Sequence, residues 1–193
     1  ALTQLIEPYV CNSPNPIVDT MCREGIKKVA LSIRKAYSNG GDLSAREDMC
    51  LASLFGGMAL ANAKLGAVHG FAGTLGGMFN APHGAICARL LPVVMKFNVK
   101  ALNEREPSSP VIRRFTEVSQ ILTNNISGTI ADGIDWLYSL CSDFAIPSLS
   151  RYGLSEEHIE SVVRQSEKAS SMKGNPVLLT EHELTLIVRE ALL

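Results

Sequence analysis

The sequence predicts an all-α fold, and three observations carry that expectation. Apolar residues recur at steps of three and four along most of the chain, the period of an amphipathic helix. Helix-start signals precede the periodic runs, at Asn15–Pro16, Ser44-x-x-Glu47, Ser109–Pro110, Ser155 and Thr180-x-x-Glu183. Alternating β-branched runs bounded by hairpin turns, the mark of strands, are missing.

Taken in order, ALTQLIEPYV has no basic leader-like stretch and no initiator Met, and it reads as the interior of a longer protein. Val18, Cys22, Ile26, Val29, Ile33 and Tyr37 then define one helix, opened by Asn15–Pro16 and closed by Asn39–Gly40. The capping box at Ser44 and Glu47 heads LASLFGGMALANAKL, which is apolar nearly all round and so predicts a central, covered helix. Gly56 and Gly57 weaken that helix, and their presence predicts close approach of another backbone. Further helices carry Ile112, Phe115, Val118 and Leu122, then Ile130, Ile134, Leu137, Cys141 and Phe144, stopped by Pro147. Ile159 and Val162 mark the next, and Leu184, Ile187 and Val188 the last. NEREPSSP, residues 103–110, predicts an exposed link between two helical halves of one bundle.

At 193 residues the chain predicts one domain over 1–193, and 46% apolar residues suffice for a core. Only 19% of residues are charged, which predicts that part of the surface is covered, by another domain or by a second subunit of a homo-oligomer. Eighteen Lys and Arg against nineteen Asp and Glu leave no positive field, which argues against nucleic acid or an anionic membrane as partner. No apolar run reaches membrane-spanning length. Cys11, Cys22, Cys50, Cys87 and Cys141 lie far apart with no C-x-x-C pair, and predict buried, reduced thiols in a cytoplasmic protein.

The candidate chemistry lies in GAVHGFAGTLGGMFNAPHGA, residues 66–85, which holds two of the four histidines. Gly66, Gly70, Gly73, Gly76 and Gly77 clear side chains from around His69, so that backbone or a ligand can come close. His83 follows Pro82 at a predicted helix start, where the dipole disfavours imidazolium. Neutral imidazole is the form a metal binds. On residues alone, a core histidine at His69 and a capping histidine at His83 are the favoured reading, because a catalytic metal takes about three protein ligands and only two histidines stand here. Cys87, one turn after His83, is within reach of it and reads as a small buried thiol. Glu7, before Pro8, reads as surface; Asp42, Glu47 and Asp48 read as solvated helix-start charges, and His158 and His182 as exposed. Trp136 reads as core or interface, and Ser171, Lys173 and Asn175 as a turn within SSMKGNP. The glycines from Gly70 to Gly77 follow a helix and not a strand, so they form no dinucleotide fingerprint.

GAVHGFAGTLGGMFNAPHGAICARLLP resembles the metal-site signature of the iron-containing (group III) alcohol dehydrogenases. The likeness extends over ALTQLIEPYVCNSPNPIVDTMCREGI and AREDMCLASLFGGMALANAKLGAVHG, and more loosely over SSMKGNPVLLTEHEL. It implies the multi-helix C-terminal domain of a dehydroquinate synthase-like fold, with His69 and His83 as metal ligands. Gln4 stands where the family's D-A-L-T-H-like motif has a third ligating His, and the Asp of that motif falls immediately before Ala1. Gly73 stands where many relatives carry a His implicated in proton handling. The resemblance further implies Fe2+ or Zn2+ as Lewis acid, a small alcohol, aldehyde or ketone as substrate, and hydride exchange with NAD(P). The nicotinamide would be held by an N-terminal dinucleotide-binding domain outside these residues, without which the fragment is inactive. Two alternatives stay open. One is a metal-independent, maleylacetate reductase-like enzyme in which His69 and His83 hydrogen-bond a substrate oxygen; the other is a non-catalytic helical dimerisation module.

Overall fold

The computed structural model describes residues 1–193 and contains helices and no strands. In chain order the helices are α1 (Leu2–Val10), α2 (Pro16–Ser38), α3 (Leu43–Asn62), α4 (Ala67–Phe79) and α5 (His83–Arg105). They continue with α6 (Pro110–Thr123), α7 (Ile130–Asp143), α8 (Ile159–Ser166) and α9 (Glu181–Leu192). Single 3-10 turns at Leu149–Tyr152, Glu156–His158 and Ser170–Gly174 complete the chain. No single helix is long and apolar enough to cross a membrane.

One contiguous core of 41 buried residues runs through the molecule. Its axis is α5, which buries Ile86, Leu90, Leu91, Val93, Val94, Met95, Ala101 and Leu102 and packs against α1, α4, α6, α7 and α9. The central position expected of α3 therefore belongs to α5. Size explains the exchange: α3 buries only Ala45, Ala52, Gly56 and Ala59, a row of small residues laid against α1 and α2. Met49 and Phe55 pack partly against the core, whereas other large apolar side chains face outward, with Leu43 78%, Leu54 57% and Met58 43% exposed. Gly56 does admit another chain segment, since a Cβ there would sit 3.4 Å from the Ala1 carbonyl; Gly57 faces open space.

The helix ends follow local chemistry. Asn15 accepts from the Ile17 N–H at 3.0 Å with Pro16 in the first turn, and Thr180 and Glu183 form the expected reciprocal box. The box expected at Ser44 is not used. Asp42 caps α3 by accepting from Ala45 N–H at 3.0 Å, so Ser44 is already helical. Asp48 is likewise not simply solvated: it accepts from Ser32 at 2.6 Å and pairs with Lys28 at 2.9 Å, tying α3 to α2. Thr129 and Asp132 form a further box at the start of α7. The predicted link at 103–110 is exposed, but α5 continues to Arg105 and shortens it to 106–109. All five cysteines are free; Cys50 is exposed, against expectation, because it lies on the outer side of α3.

Candidate metal and substrate site

α4 begins without a cap of its own, since Gly66 has no side chain to offer its free N–H groups. Acceptors come instead from elsewhere in the chain. The Glu7 carboxylate of α1 accepts from Val68 N–H at 2.7 Å, and the Asn175 side-chain oxygen accepts from Ala67 N–H at 3.1 Å. A Cβ at Gly66 would stand 2.8 Å from Glu7 Oε1, so glycine is what lets the carboxylate reach the helix. The other Glu7 oxygen lies 2.5 Å from His69 Nδ1, in the first turn of α4. This bond fixes the ring and leaves Nε2 as its free nitrogen. Glu7 is 5% exposed, so the surface reading of this residue is overturned.

Asn175 is also buried. Its amide group donates to Asn98 and to the Val177 carbonyl, and Gly174 brings this turn against the Leu65 carbonyl. The SSMKGNP segment is thus a brace for the start of α4, whereas Lys173 is exposed.

His83 opens α5 directly after Pro82, and its ring faces that of His69 with centroids 5.5 Å apart. Burial, then the neighbouring His69, hold the His83 imidazole below its ordinary value and so favour the neutral ring. Cys87, one turn along α5, brings Sγ to 3.5 Å from His83 Nε2. Burial, reinforced by the Glu7 charge, pushes this thiol up to about 12. One ligand atom from each of His69, His83 and Cys87 lies within 4.8 Å of the others, a spacing one cation can bridge.

These groups line one end of a cavity of about 210 Å³. Gln4 lines the same cavity, its amide oxygen leaning toward Gly56 of α3. The far walls are apolar: Ile33 of α2, Leu91 of α5, Leu137 and Leu140 of α7, then Phe144 and Ile146. Gly73 has open space beside it, and nothing takes the place of a side chain there. Of the remaining candidates, His182 is exposed, while His158 is half-buried against Phe79 and bonded to Ser155. Trp136 packs against the core under the Arg34 guanidinium. None of these three lines the cavity.

A model of the C-terminal region of the Fe-containing alcohol dehydrogenase family matches residues 1–192. The chain is 33% identical to a 1,3-propanediol dehydrogenase of Klebsiella pneumoniae, covering 99% of this chain and 49% of that protein. It is 32% identical to alcohol dehydrogenase 4 of Saccharomyces cerevisiae, covering 99% and 48%. Among solved structures, a 1,3-propanediol oxidoreductase superposes with a TM-score of 0.89 at 32% identity, over 98% of this chain and 49% of that one. An alcohol dehydrogenase from Oenococcus oeni gives 0.87 at 35% identity, with coverage of 98% and 49%. The chain spans about half the length of the curated relatives it matches. It belongs to the iron-containing alcohol dehydrogenase family, as the family's C-terminal helical domain.

Proposed function

We propose that the chain is the helical half of a two-domain, NAD(P)-dependent alcohol dehydrogenase in which His69 and His83 hold a divalent metal, Fe2+ or Zn2+. Gln4, on the wall of the same cavity, is the third ligand of this reading. One observation carries the reading: two imidazoles from different helices face each other at the wall of an apolar cavity, and a buried carboxylate fixes one of them from behind. A carboxylate on the far nitrogen is the support a ligating imidazole needs, since it sets both tautomer and ring orientation. The donors also suit the ion, because His83 is held neutral and His69 presents one free nitrogen.

When bound, such an ion supplies Lewis-acid polarisation of an alcohol or carbonyl oxygen. The chain's own residues do the rest of the positioning. Ile33, Leu137, Leu140 and Phe144 take the carbon end of a small alcohol, aldehyde or ketone and keep water from it. The oxygen is thereby directed to the imidazole end. Hydride exchange requires a nicotinamide, and relatives of twice this length support a separate dinucleotide-binding domain to hold it. By this reading residues 1–193 do not turn over alone. Exposed Leu43, Leu54 and Met58 on α3 support a covered face, against that domain or a second subunit of a homo-oligomer. Five free cysteines suit the reducing cytoplasm.

Gln4 supports a second reading. An uncharged amide oxygen is a weak ligand for iron or zinc, and a maleylacetate reductase-like enzyme would use the same imidazoles, without metal, to hydrogen-bond the substrate oxygen. Metal analysis and NAD(P)-linked alcohol oxidation, measured on the protein that carries this chain, separate the two. We expect about one divalent ion per chain, lost together with activity in His69→Ala and in His83→Ala. Activity that survives complete removal of metal would assign the site to the second reading. A protein with neither metal nor activity would leave only a dimerisation module.

A further inference from the structure

We propose that Cys87 is a metal ligand, and that the site it forms with His69 and His83 takes Zn2+ in preference to Fe2+. The inference rests on the metal-binding reading above, puts Cys87 in place of Gln4 as third ligand, and adds the choice of ion. Distance is the first argument. A sulfur at about 2.3 Å and a nitrogen at about 2.0 Å from one tetrahedral zinc stand about 3.5 Å apart. Cys87 Sγ and His83 Nε2 are 3.5 Å apart. His69 completes the triangle: one ring nitrogen of each His and the Cys87 sulfur lie within 4.8 Å of one another, and the Glu7 bond to His69 Nδ1 leaves Nε2 free.

The second argument is rigidity. His83 and Cys87 are four residues apart on α5, so one helix face presents both donors without rearrangement of a loop. Cys87 is buried while His83 is exposed, which gives an ion an entry on the histidine side. Chemistry supplies the third. Two imidazoles and one thiolate form a borderline-soft set that suits zinc. Gln4 contributes only a neutral oxygen and cannot outbid a thiolate for such an ion. Binding exchanges the thiol proton for the metal: the S–H bond breaks, an S–metal bond forms, and one proton passes to solvent.

Cobalt(II) substitution of the protein that carries this chain tests the assignment without relying on turnover. The expected result is tetrahedral cobalt bands together with a near-ultraviolet thiolate-to-cobalt charge-transfer band. Cys87→Ser, a near-isosteric change, should remove that band, leave weaker cobalt binding through the imidazoles, and lower zinc affinity by at least about tenfold, the lower end of what even an outer-shell partner contributes. Zinc-edge X-ray absorption of the unmodified protein, which needs no variant, should show one sulfur at about 2.3 Å. In competition, zinc should displace Fe2+, and should do so less well in Cys87→Ser. Cobalt bound in a His69- and His83-dependent manner, with neither charge-transfer band nor sulfur shell, would overturn the ligand assignment and leave the proposed function standing. The absence of any histidine-dependent metal binding would overturn both.

Discussion

Removing the Glu7 carboxylate would strip partners from two groups at once, the Val68 N–H and His69 Nδ1. Glu7→Ala is expected to destabilise the fold by about 1–3 kcal/mol, because a buried N–H at the start of α4 loses its acceptor. Glu7→Gln keeps an oxygen for Val68 but presents His69 with a neutral partner. Stability should then be largely kept while metal affinity falls about 10–100-fold. Urea unfolding read beside metal titration checks the split; equal losses in both variants would make the carboxylate purely structural. His69 and His83 were singled out in the sequence by the family resemblance; glycine and proline, their neighbours in the chain, mark a special backbone and no more. Glu7 was not, because its partner is 61 residues away and no local spacing records it. One trace existed. α1 buries Thr3, Leu5, Ile6, Pro8, Tyr9 and Val10, and a carboxylate in a helix with almost no solvent face must find a partner.

α3 shows where periodicity stops informing. Its sequence is apolar on every side, and hydropathy alone cannot say which side is buried. Residue size decides it, since Ala45, Ala52, Gly56 and Ala59 let α1 and α2 approach while Leu54 and Met58 cannot be accommodated there. Two variants of opposite expectation follow. Ala52→Leu puts extra methylenes into a fully buried contact and should cost about 1–3 kcal/mol. Leu54→Gln on the outer face should stay within about 0.5 kcal/mol for the chain alone. Thermal or urea denaturation measures both, and a large loss in Leu54→Gln would return α3 to the interior. Helix α9 was read with the correct start because Thr180 and Glu183 act within their own turn. At α3 the same signature failed, for Asp42 stands two residues earlier and captures the cap first.

Across the whole molecule, carboxylates fasten the outer helices to the rest. Glu117 of α6 receives Arg23 of α2 and the Tyr9 hydroxyl of α1. Glu190 of α9 receives Lys96 of α5 and the Tyr138 hydroxyl of α7, and Glu183 of α9 receives Arg105 of α5. Burial by itself would raise each of these carboxyls, but the hydrogen bonds and cationic partners outweigh it, and all three lie below the ordinary value of 4.5. A carboxyl depressed in the folded state contributes stability that is complete above its unfolded value and is lost as pH falls through the folded one. The buried thiols work in the opposite direction. Burial raises Cys22 from 9.0 to about 12, and Cys141 in the same direction, so their contribution holds below pH 9 and declines as pH rises beyond it. Tyr9 and Tyr138, raised by burial and by their Glu acceptors, add to the alkaline loss above 10. Tm should accordingly be level between about pH 7 and 9 and fall on both sides, the first acid loss coming from His83, whose imidazole is held below its ordinary 6.5 in the folded chain. Because these ion pairs are partly exposed, the acid limb should be shallow and should weaken further in high salt. Glu190→Gln releases α9 from Lys96, and its acid limb should be flatter than that of the unmodified chain; its alkaline limb should be milder as well, because Tyr138 no longer faces a carboxylate. If the acid limb keeps its slope in Glu190→Gln, α9 is fastened by the apolar contacts of Leu184, Ile187, Val188 and Ala191, and the ion pairs along it only decorate a helix already held.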